Sequence, residues 1–307
     1  MKLTEQFEDF IREISLNQVK VDDIISKHNS LRKMIKKNPP VGYKIVNIRL
    51  SGSYAKRTVL NEYDETKKPD VDMIVVIETE EDDVDKINQD FLLYFRDMKG
   101  NVVSEIRQQS NSIGFIYSNI NVDIVIAKET GEKDVLKITS HKHHTWIESN
   151  ALLHVEYMKD KNLEYEGFSY YGFMKLLKYL NKETLITALK SYTLEQLVHK
   201  CVPTHKSGLR IYQAFAKCLE NISNLDCIEE IKDCCDDTKK GYDEKDKEAF
   251  EDFKCEIKKL SDLANDALNG KRKNWEIIFG ERFPKQPEEP VEMKDSYDKS
   301  QTPYSFK

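Results

Sequence analysis

Apolar residues follow two different periods along this chain, and the change between them limits the possible folds more than any other feature. Between residues 44 and 127, short segments rich in Val and Ile alternate apolar and polar side chains, which is typical of strands. About five strands are predicted, at 44–50, 71–77, 102–108, 112–118 and 120–127. After about residue 150 the strand signal ends and apolar residues recur at helical spacing. Helices are predicted at 168–181, 192–200, 207–222, 245–268 and 272–280.

Helical spacing also occurs before and within the strand region. Two helices, or one long broken helix, are predicted ahead of "NPP", and an apolar stripe from Val84 to Met98 predicts a helix that covers one sheet face. The sequence therefore predicts an α/β (α+β) fold in which a mixed sheet precedes a helical lobe. We expect N-terminal helices and the sheet core in 1–150, the helical lobe in 151–285, and a mobile or docked extended tail in 286–307.

Composition excludes several classes of protein. The 307 residues are 39% apolar and 33% charged, which indicates a globular chain with a buried core rather than a disordered one. The formal charge of -6 argues against a chain built mainly to coat nucleic acid. No apolar run approaches the ~20 residues of a membrane span, and the N-terminus lacks the apolar segment of a signal peptide, so we expect a cytoplasmic protein. All six cysteines follow residue 200 without C-x-x-C spacing, and reduced, mostly packed thiols are expected.

Three aspartates interrupt two otherwise apolar predicted strands. In "PDVDMIVVI" strand alternation places Asp70 and Asp72 on one face, and "NVDIVIA" contributes Asp123. These residues could be surface acids on an edge strand. If the strands are neighbours, however, the three carboxylates can hold two divalent cations about 3.5–4 Å apart, the arrangement used for nucleotidyl transfer. Mg²⁺ is the expected metal because it prefers oxygen ligands, with Mn²⁺ able to replace it.

A glycine and a serine follow the first predicted strand in "LSGSYAKRT". Gly52 allows close approach of a ligand to the backbone, and Ser53 adds a hydroxyl donor. If a helix begins here, its free backbone N–H groups favour a phosphate. Together with the aspartates, this turn predicts a pocket for a metal-bound nucleoside triphosphate.

This ordered set resembles the signature of the DNA polymerase β-like nucleotidyltransferase superfamily: Gly52 and Ser53, then Asp70 and Asp72, then Asp123. The segment "GFMKLLKYLNKETLITALKSYTLEQLV" is similar to the helical lobe of oligoadenylate synthases, cyclic GMP-AMP synthase and the bacterial CD-NTases of CBASS anti-phage systems. "WEIIFGERFP" also resembles the closing segment of several CD-NTases. The resemblance implies a polymerase β-like catalytic core with a mixed sheet, and an active site in the cleft between this core and the helical lobe.

The same resemblance implies roles for residues of the helical lobe. Lys178, with Lys175 one turn earlier, would meet the triphosphate, Ser191 would donate to it, and Tyr192 would stack on a base. A simple surface role for the lysines and a core role for the tyrosine are the alternatives. The animal DNA sensor of this group carries a zinc-binding insertion ahead of these lysines. This chain has no cysteine before Cys201, so activation by DNA through such a module is not expected.

The resemblance to CD-NTases implies a metal-dependent enzyme that converts nucleoside triphosphates into a cyclic di- or trinucleotide. The product would activate a separate effector protein, and a regulatory protein partner is possible, with no nucleic-acid template and no membrane. One alternative is a nucleotidyltransferase that modifies RNA, a small molecule or a protein. A second is an inactive nucleotide-binding module. The histidine-rich segments "HKHHTWIE" and "HKCVPTH" are interpreted as solvated and structural, respectively, rather than as metal sites.

Overall fold

Two helices precede the sheet, as predicted. The computed structural model describes residues 2–61, 68–98 and 103–285. Helix α1 spans Leu3–Glu13 and α2 spans Gln18–Lys37, where the Asn17 side chain accepts a hydrogen bond from the backbone N–H of Lys20 and caps the helix. The predicted tail at 286–307 lies outside the described residues.

A seven-stranded mixed sheet forms the first half of the described chain. Its strands are β1 Lys44–Ser51, β2 Asp70–Glu78, β3 Glu105–Gln108, β4 Ile113–Ile116, β5 Asn121–Glu129, β6 Leu136–Ser140 and β7 Thr145–Ser149. The order is β1-β2-β5-β4-β3, with β6 paired to the end of β5 and to β7. The five predicted strands are confirmed. Strands β6 and β7 were not predicted. Strand β7 buries no side chain and carries no apolar alternation, whereas β6, in which Leu136 and Ile138 alternate with polar residues, was missed despite its pattern.

Helices cover both faces of the sheet. The four-residue helix α3, Gly52–Ala55, follows β1, and α4, Val84–Asp97, follows β2. Helices α2 and α4 pack on one face through apolar side chains such as Leu31 and Phe91, as the stripe in α4 predicted. A smaller apolar cluster on the other face includes Leu152 of helix α5, Ala151–Glu164.

The second half of the described chain is helical, with one exception. Its further helices are α6 Tyr170–Tyr179, which continues into a π-helical turn at Leu180–Thr184, α7 Ser191–Cys201, α8 Ile211–Ser223, α9 Glu244–Leu268 and α10 Asn274–Phe279. The exception is a hairpin of β8, Lys232–Asp233, and β9, Asp236–Lys240. The prediction that strands end near residue 150 is therefore wrong here, because these short polar strands show no apolar alternation. Among the described residues, no helix is both long enough and apolar enough to cross a membrane.

Helix α1 packs within the helical lobe rather than on the sheet. The Phe7 ring centroid lies 5.0 Å from that of Trp275 and 5.5 Å from that of Phe279, and all three side chains are fully or almost fully buried. Each buried aromatic ring of this kind contributes about 1.5–3 kcal/mol of hydrophobic stabilisation. By packing, the N-terminal helix thus joins the 151–285 lobe, whereas the predicted segment 1–150 placed it with the sheet.

Candidate active site

Gly52 and Asp72 are in close contact at the turn that follows β1. Ser51 pairs with Asp72 across the antiparallel β1–β2 ladder, so the chain turns into α3 beside the carboxylate. Gly52 has φ +63°, and a Cβ at this position would lie 1.8 Å from Asp72 Oδ2. Glycine is required here for two reasons: residues with a Cβ rarely adopt this positive φ, and the Asp72 carboxylate occupies the space that a Cβ would need. The predicted Gly-Ser turn and the Asp-x-Asp strand therefore form one unit.

Strands β2 and β5 are neighbours, as the candidate metal site requires. They pair in parallel, with Asp72 opposite Asp123 and Asp70 opposite Asn121. The Asn121 Nδ2 atom donates to Asp70 Oδ1 at 2.9 Å. Asp70 is exposed, whereas Asp72 and Asp123 are partly buried. The structure thus brings the three predicted carboxylates together near the N-terminal ends of two neighbouring interior strands.

Burial and mutual repulsion shift the pKa values of two of these acids. Burial raises the pKa of Asp72, and the neighbouring Asp70 raises it further, against the opposing effects of Lys56 and Lys178. Burial raises the pKa of Asp123 to about 6, with Asp72 and Asp70 adding to the shift. A divalent cation bound by these carboxylates would offset their mutual repulsion. Among the described residues, the three aspartates are not one of the groups whose ligand atoms all lie within 4.8 Å of one another.

Sequence analysis did not identify two residues, Gly114 and Gln109, that contact Asp123. Gly114 on β4 pairs with Asp123, and a Cβ there would lie 3.0 Å from its Oδ1 atom. Gln109 Nε2 donates to the same Oδ1 at 3.1 Å. Gly114 therefore leaves room for the carboxylate and Gln109 orients it. The glycine in "SIGFIYS" was the available signal, since glycine inside a strand often marks a close approach.

A cavity of about 380 Å³ lies between the sheet and the helical lobe, within the range of small-molecule sites. Asp70 and Ser53 line it from the sheet side, and Lys178 and Ser191 line it from the helical lobe. Four residues that were assigned to one active site from separate parts of the sequence thus face the same space. The cavity occupies the cleft where the resemblance placed the active site.

Lys178 reaches this cavity from within a buried ion-pair network. Its Nζ atom lies 2.7 Å from Glu195 Oε1 and donates to Thr58 Oγ1 at 3.1 Å. Lys56 pairs with the other oxygen of Glu195. Glu195 is held ionised by the two lysines, which lower its pKa to about 2 against the opposing effect of burial. The alternative of a solvated surface role for Lys178 is therefore wrong, and Glu195, which sequence analysis missed, fixes the lysine's position.

Lys175 lies apart from this cavity. Its Nζ atom donates to Ser15 Oγ at 2.7 Å, and the side chain lines a second cavity with Tyr54 and Leu50. Burial lowers the pKa of Lys175 to about 8. Lys175 and Lys178 are thus both largely buried and have different partners, so the structure does not bring Lys175 to the predicted triphosphate position.

The two remaining predicted contacts differ in their position. Ser191, the first residue of α7, is exposed and lines the cavity. The ring of Tyr192 stacks on His154 with 5.9 Å between centroids, and its hydroxyl donates to Asp233 Oδ2 at 2.7 Å. The Tyr192 side chain is not among those that line the cavity. Base stacking by Tyr192 stays a prediction, and its observed contacts are structural.

The histidine-rich segments have the expected environments. His141 and His144 are exposed and lie beside Asp85, at 3.2 and 2.6 Å from its oxygens. His199 is buried, its Nδ1 atom lies 2.8 Å from the Tyr170 hydroxyl, and burial lowers its pKa to about 3. The exposure of His141 and His144 agrees with solvated histidines, and the burial of His199 agrees with a structural role. The ligand atoms of His141, His144 and Asp85 all lie within 4.8 Å of one another, so the exclusion of a metal there stays a prediction.

All six cysteines are free thiols, but fewer are packed than predicted. Cys201 and Cys218 are buried, two are half-buried and two are exposed. The half-buried pair, Cys234 and Cys235, lies beside His154. Sequence analysis missed this group because its members are far apart along the chain.

Comparison with known proteins identifies a family over more than half of the chain. Residues 1–162 match the model of the Second Messenger Oligonucleotide or Dinucleotide Synthetase (SMODS) domain. A cyclic AMP-AMP-AMP synthase of Acinetobacter sp. (strain ATCC 27244 / 9458) is 24% identical over 302 residues, covering 93% of this chain and 86% of the relative.

Solved structures show the same fold. CdnC of E. coli MS115-1, solved with ATP, is 19% identical with a TM-score of 0.65 and covers 92% of this chain and 98% of its own. The same protein has been solved in a complex with HORMA-deltaN. The CD-NTase CdnG of Bradyrhizobium diazoefficiens, solved with GTP, is 13% identical with a TM-score of 0.68 and covers 92% of this chain and 96% of its own. The predicted combination of a mixed sheet with a helical lobe is confirmed.

Proposed function

Because the chain belongs to the Second Messenger Oligonucleotide or Dinucleotide Synthetase family, it is a nucleotidyltransferase, and we propose that it makes a cyclic di- or trinucleotide for anti-phage defence. The observation that carries the site assignment is the unit of Gly52, Asp72 and Asp123. Parallel pairing places the two aspartates side by side, and the glycine leaves space for one of them. Asp70 lies two residues before Asp72 and lines the cavity.

The donor set fits two Mg²⁺ ions, with Mn²⁺ as a substitute. Asp70, Asp72 and Asp123 supply only carboxylate oxygens, which hard divalent cations prefer. Burial and neighbouring carboxylates raise the pKa values of Asp72 and Asp123, and a bound cation would favour their ionised forms. When bound, the ions would align the attacking hydroxyl with the α-phosphate and neutralise the departing pyrophosphate. Asp70 and Asp72 would hold both ions, and Asp123 the ion on the side of the nucleophile.

The protein's own groups would orient the substrates. Asp123 would accept the proton of the attacking 2′- or 3′-hydroxyl, and Gln109, by donating to its Oδ1, would leave Oδ2 to take that proton. Ser53, Lys178 and Ser191, which all line the cavity, would contact the triphosphate. The ion pair with Glu195 holds Lys178 in place before the substrate arrives.

The substrates and partners follow from the same proposal. Nucleoside triphosphates are the substrates, and the product acts on a separate effector protein in the cytoplasm. The structural relatives support this choice, since one was solved with ATP and another with GTP. The complex of CdnC with HORMA-deltaN supports a regulatory protein partner for this chain as well.

The test is to incubate the purified protein with all four nucleoside triphosphates and Mg²⁺ or Mn²⁺, and to identify products by mass spectrometry. We expect a product that resists phosphatase, since a ring has no terminal phosphate, and that a phosphodiesterase opens. The Asp70→Ala/Asp72→Ala variant is the control and should form none. Linear, phosphatase-sensitive oligomers alone would contradict cyclisation. A strict need for added RNA would favour the RNA-modifying alternative, and no pyrophosphate release under any condition would favour the inactive module.

A further inference from the structure

Four side chains of the types that bind metals meet in the helical lobe, and none of them lines the candidate active-site cavity. They are His154 of α5, Asp233 at the end of β8, and Cys234 and Cys235 in the turn that follows. One ligand atom from each lies within 4.8 Å of all the others. Asp233 is 79 residues from His154 in the sequence, so the fold, and not a local motif, brings the group together.

Two of the separations between ligand atoms are close to those around a tetrahedral ion. The two cysteine sulfurs are 3.7 Å apart, and His154 Nε2 lies 2.9 Å from Asp233 Oδ2. Two sulfurs bound at ~2.3 Å to one tetrahedral zinc ion would be about 3.8 Å apart. A nitrogen and an oxygen bound at ~2.0–2.1 Å would be about 3.3 Å apart. The observed separations lie within a few tenths of an ångström of these values.

The turn itself favours a role for the cysteine side chains. Asp233 pairs with Asp236, so Cys234 and Cys235 form a two-residue hairpin loop. Such loops usually contain glycine, asparagine or aspartate, because those residues accept the backbone angles of the tight turn. Two cysteines at these positions gain nothing from turn chemistry. Both thiols lie next to His154 and Asp233, which explains their presence as ligands.

Neighbouring side chains hold the group in place. The Tyr192 hydroxyl donates to Asp233 Oδ2 at 2.7 Å, and its ring stacks on His154. Gln196 Oε1 accepts the backbone N–H of Cys234 at 2.8 Å. Partners of this kind orient the ligands of metal sites and raise their affinity. Both residues belong to α7, the helix that also supplies Ser191 and Glu195 to the cavity.

We propose that His154, Asp233, Cys234 and Cys235 form a structural zinc site. Four protein ligands close the coordination of zinc and leave no open position for a substrate, which is typical of a structural role. The two thiols release their protons when the ion binds. The ion joins α5, which directly follows the sheet, to the hairpin of the helical lobe, and so fixes the hairpin against α7.

The test measures zinc in the full-length chain that also carries Asp70→Ala and Asp72→Ala, so that the active-site carboxylates cannot contribute. After zinc loading and gel filtration, elemental analysis should find one zinc ion per chain. Cobalt in place of zinc should give the thiolate-to-metal charge-transfer absorption and the visible bands of a tetrahedral site. Adding Cys234→Ser and Cys235→Ser should remove both signals. The matched pair Cys227→Ser and Cys255→Ser, which removes two exposed thiols elsewhere, should retain them.

Absence of stoichiometric zinc in this Asp70→Ala/Asp72→Ala chain, or zinc retained after loss of Cys234 and Cys235, would overturn the proposal, as would a Cys234–Cys235 disulfide in metal-free protein. Since the cysteine variant could fail to fold, Tyr192→Phe gives a second measurement. Losing the hydroxyl that orients Asp233 should weaken zinc about 10- to 100-fold in competition with a chelator. Unchanged zinc affinity in Tyr192→Phe would argue against Asp233 as a ligand. None of these readouts depends on nucleotide chemistry, so they stand or fall separately from the proposed activity.

Discussion

Replacing Gly52 by alanine should separate the chemistry of the site from the stability of its turn. Gly52 has φ +63°, and the left-handed backbone costs a residue with a Cβ about 1–2 kcal/mol. The new Cβ would also lie 1.8 Å from Asp72 Oδ2, whereas real Cβ contacts are essentially never under 3.0 Å. The carboxylate oxygen must therefore move by the difference between 1.8 and 3.0 Å, or more. A misplacement of ~1 Å in a catalytic group costs about 100-fold in rate, so we expect at least that loss of product formation.

Gly131 offers a matched control. It also has a positive φ, +90°, but a Cβ there would meet no atom within 4 Å. Gly131→Ala therefore carries the same kind of backbone cost without the collision. Pyrophosphate release measures activity and urea unfolding measures stability. Both variants should lose about 1–2 kcal/mol of unfolding free energy, and only Gly52→Ala should lose additional stability and most of its activity.

A double-mutant cycle with Asp72→Ala isolates the collision. In the Asp72→Ala background the carboxylate atoms at 1.8 and 2.5 Å are absent and only the Cβ of residue 72 remains, at 3.0 Å, so Gly52→Ala should cost little more than the backbone term measured by Gly131→Ala. Equal activity of Gly52→Ala and Gly131→Ala would refute the reasoning. So would an equal stability cost of Gly52→Ala with and without Asp72, because either result means that Gly52 does not make room for this carboxylate.

Three further predictions concern the charged groups. The double variant Asp70→Ala/Asp72→Ala should form no product. It should not lower the melting temperature, because it removes two like charges. Product at the wild-type level would place the metal site elsewhere. Lys178→Ala should weaken apparent nucleotide affinity roughly ten- to a hundredfold in calorimetric titrations. Glu195→Gln keeps the lysine and should weaken the affinity less. Equal nucleotide affinity of Lys178→Ala and wild type would contradict a contact of Lys178 with the triphosphate. Burial lowers the pKa of Lys175 to about 8, so the folded state releases its proton more readily than the unfolded chain and stability rises with pH between about 8 and 10.5. Lys175→Met should abolish this rise in urea unfolding and stabilise the protein at pH 7 by about 1–3 kcal/mol, and loss of nucleotide affinity in the same variant would restore Lys175 to the triphosphate site.

The features that local sequence determines were predictable. Five strands follow from alternation, since each buries one set of side chains on the sheet. The pairing of Asp72 with Asp123 could be proposed because a single acid in an apolar strand needs a partner, and parallel neighbours provide one. Gly52 was assigned to close approach by a phosphate, whereas the structure shows that the group that approaches it is the Asp72 carboxylate.

The features that depend on distant contacts were not predictable. Glu195 lies in an ordinary helical pattern, and nothing in "SYTLEQLV" indicates that it joins Lys56 and Lys178 across 139 and 17 positions. Helix α1 carries the amphipathic pattern of any surface helix, and its apolar stripe does not specify that Trp275 and Phe279 cover it. Sequence periodicity gives the face that is buried, and only tertiary packing gives the partner.

Helix α7 connects the candidate active site to the proposed zinc site. Ser191 and Glu195, four residues apart, share the face that meets the cavity and its lysines. Tyr192 and Gln196, each one residue later, share the adjacent face. Tyr192 contacts Asp233, and Gln196 accepts the backbone N–H of Cys234 in the hairpin. One residue along an α-helix is about 100° of rotation, so the helix presents one pair to each site at once. Because α7 is rigid, a change in the hairpin that turned the helix would move Glu195 and with it Lys178, which lines the cavity.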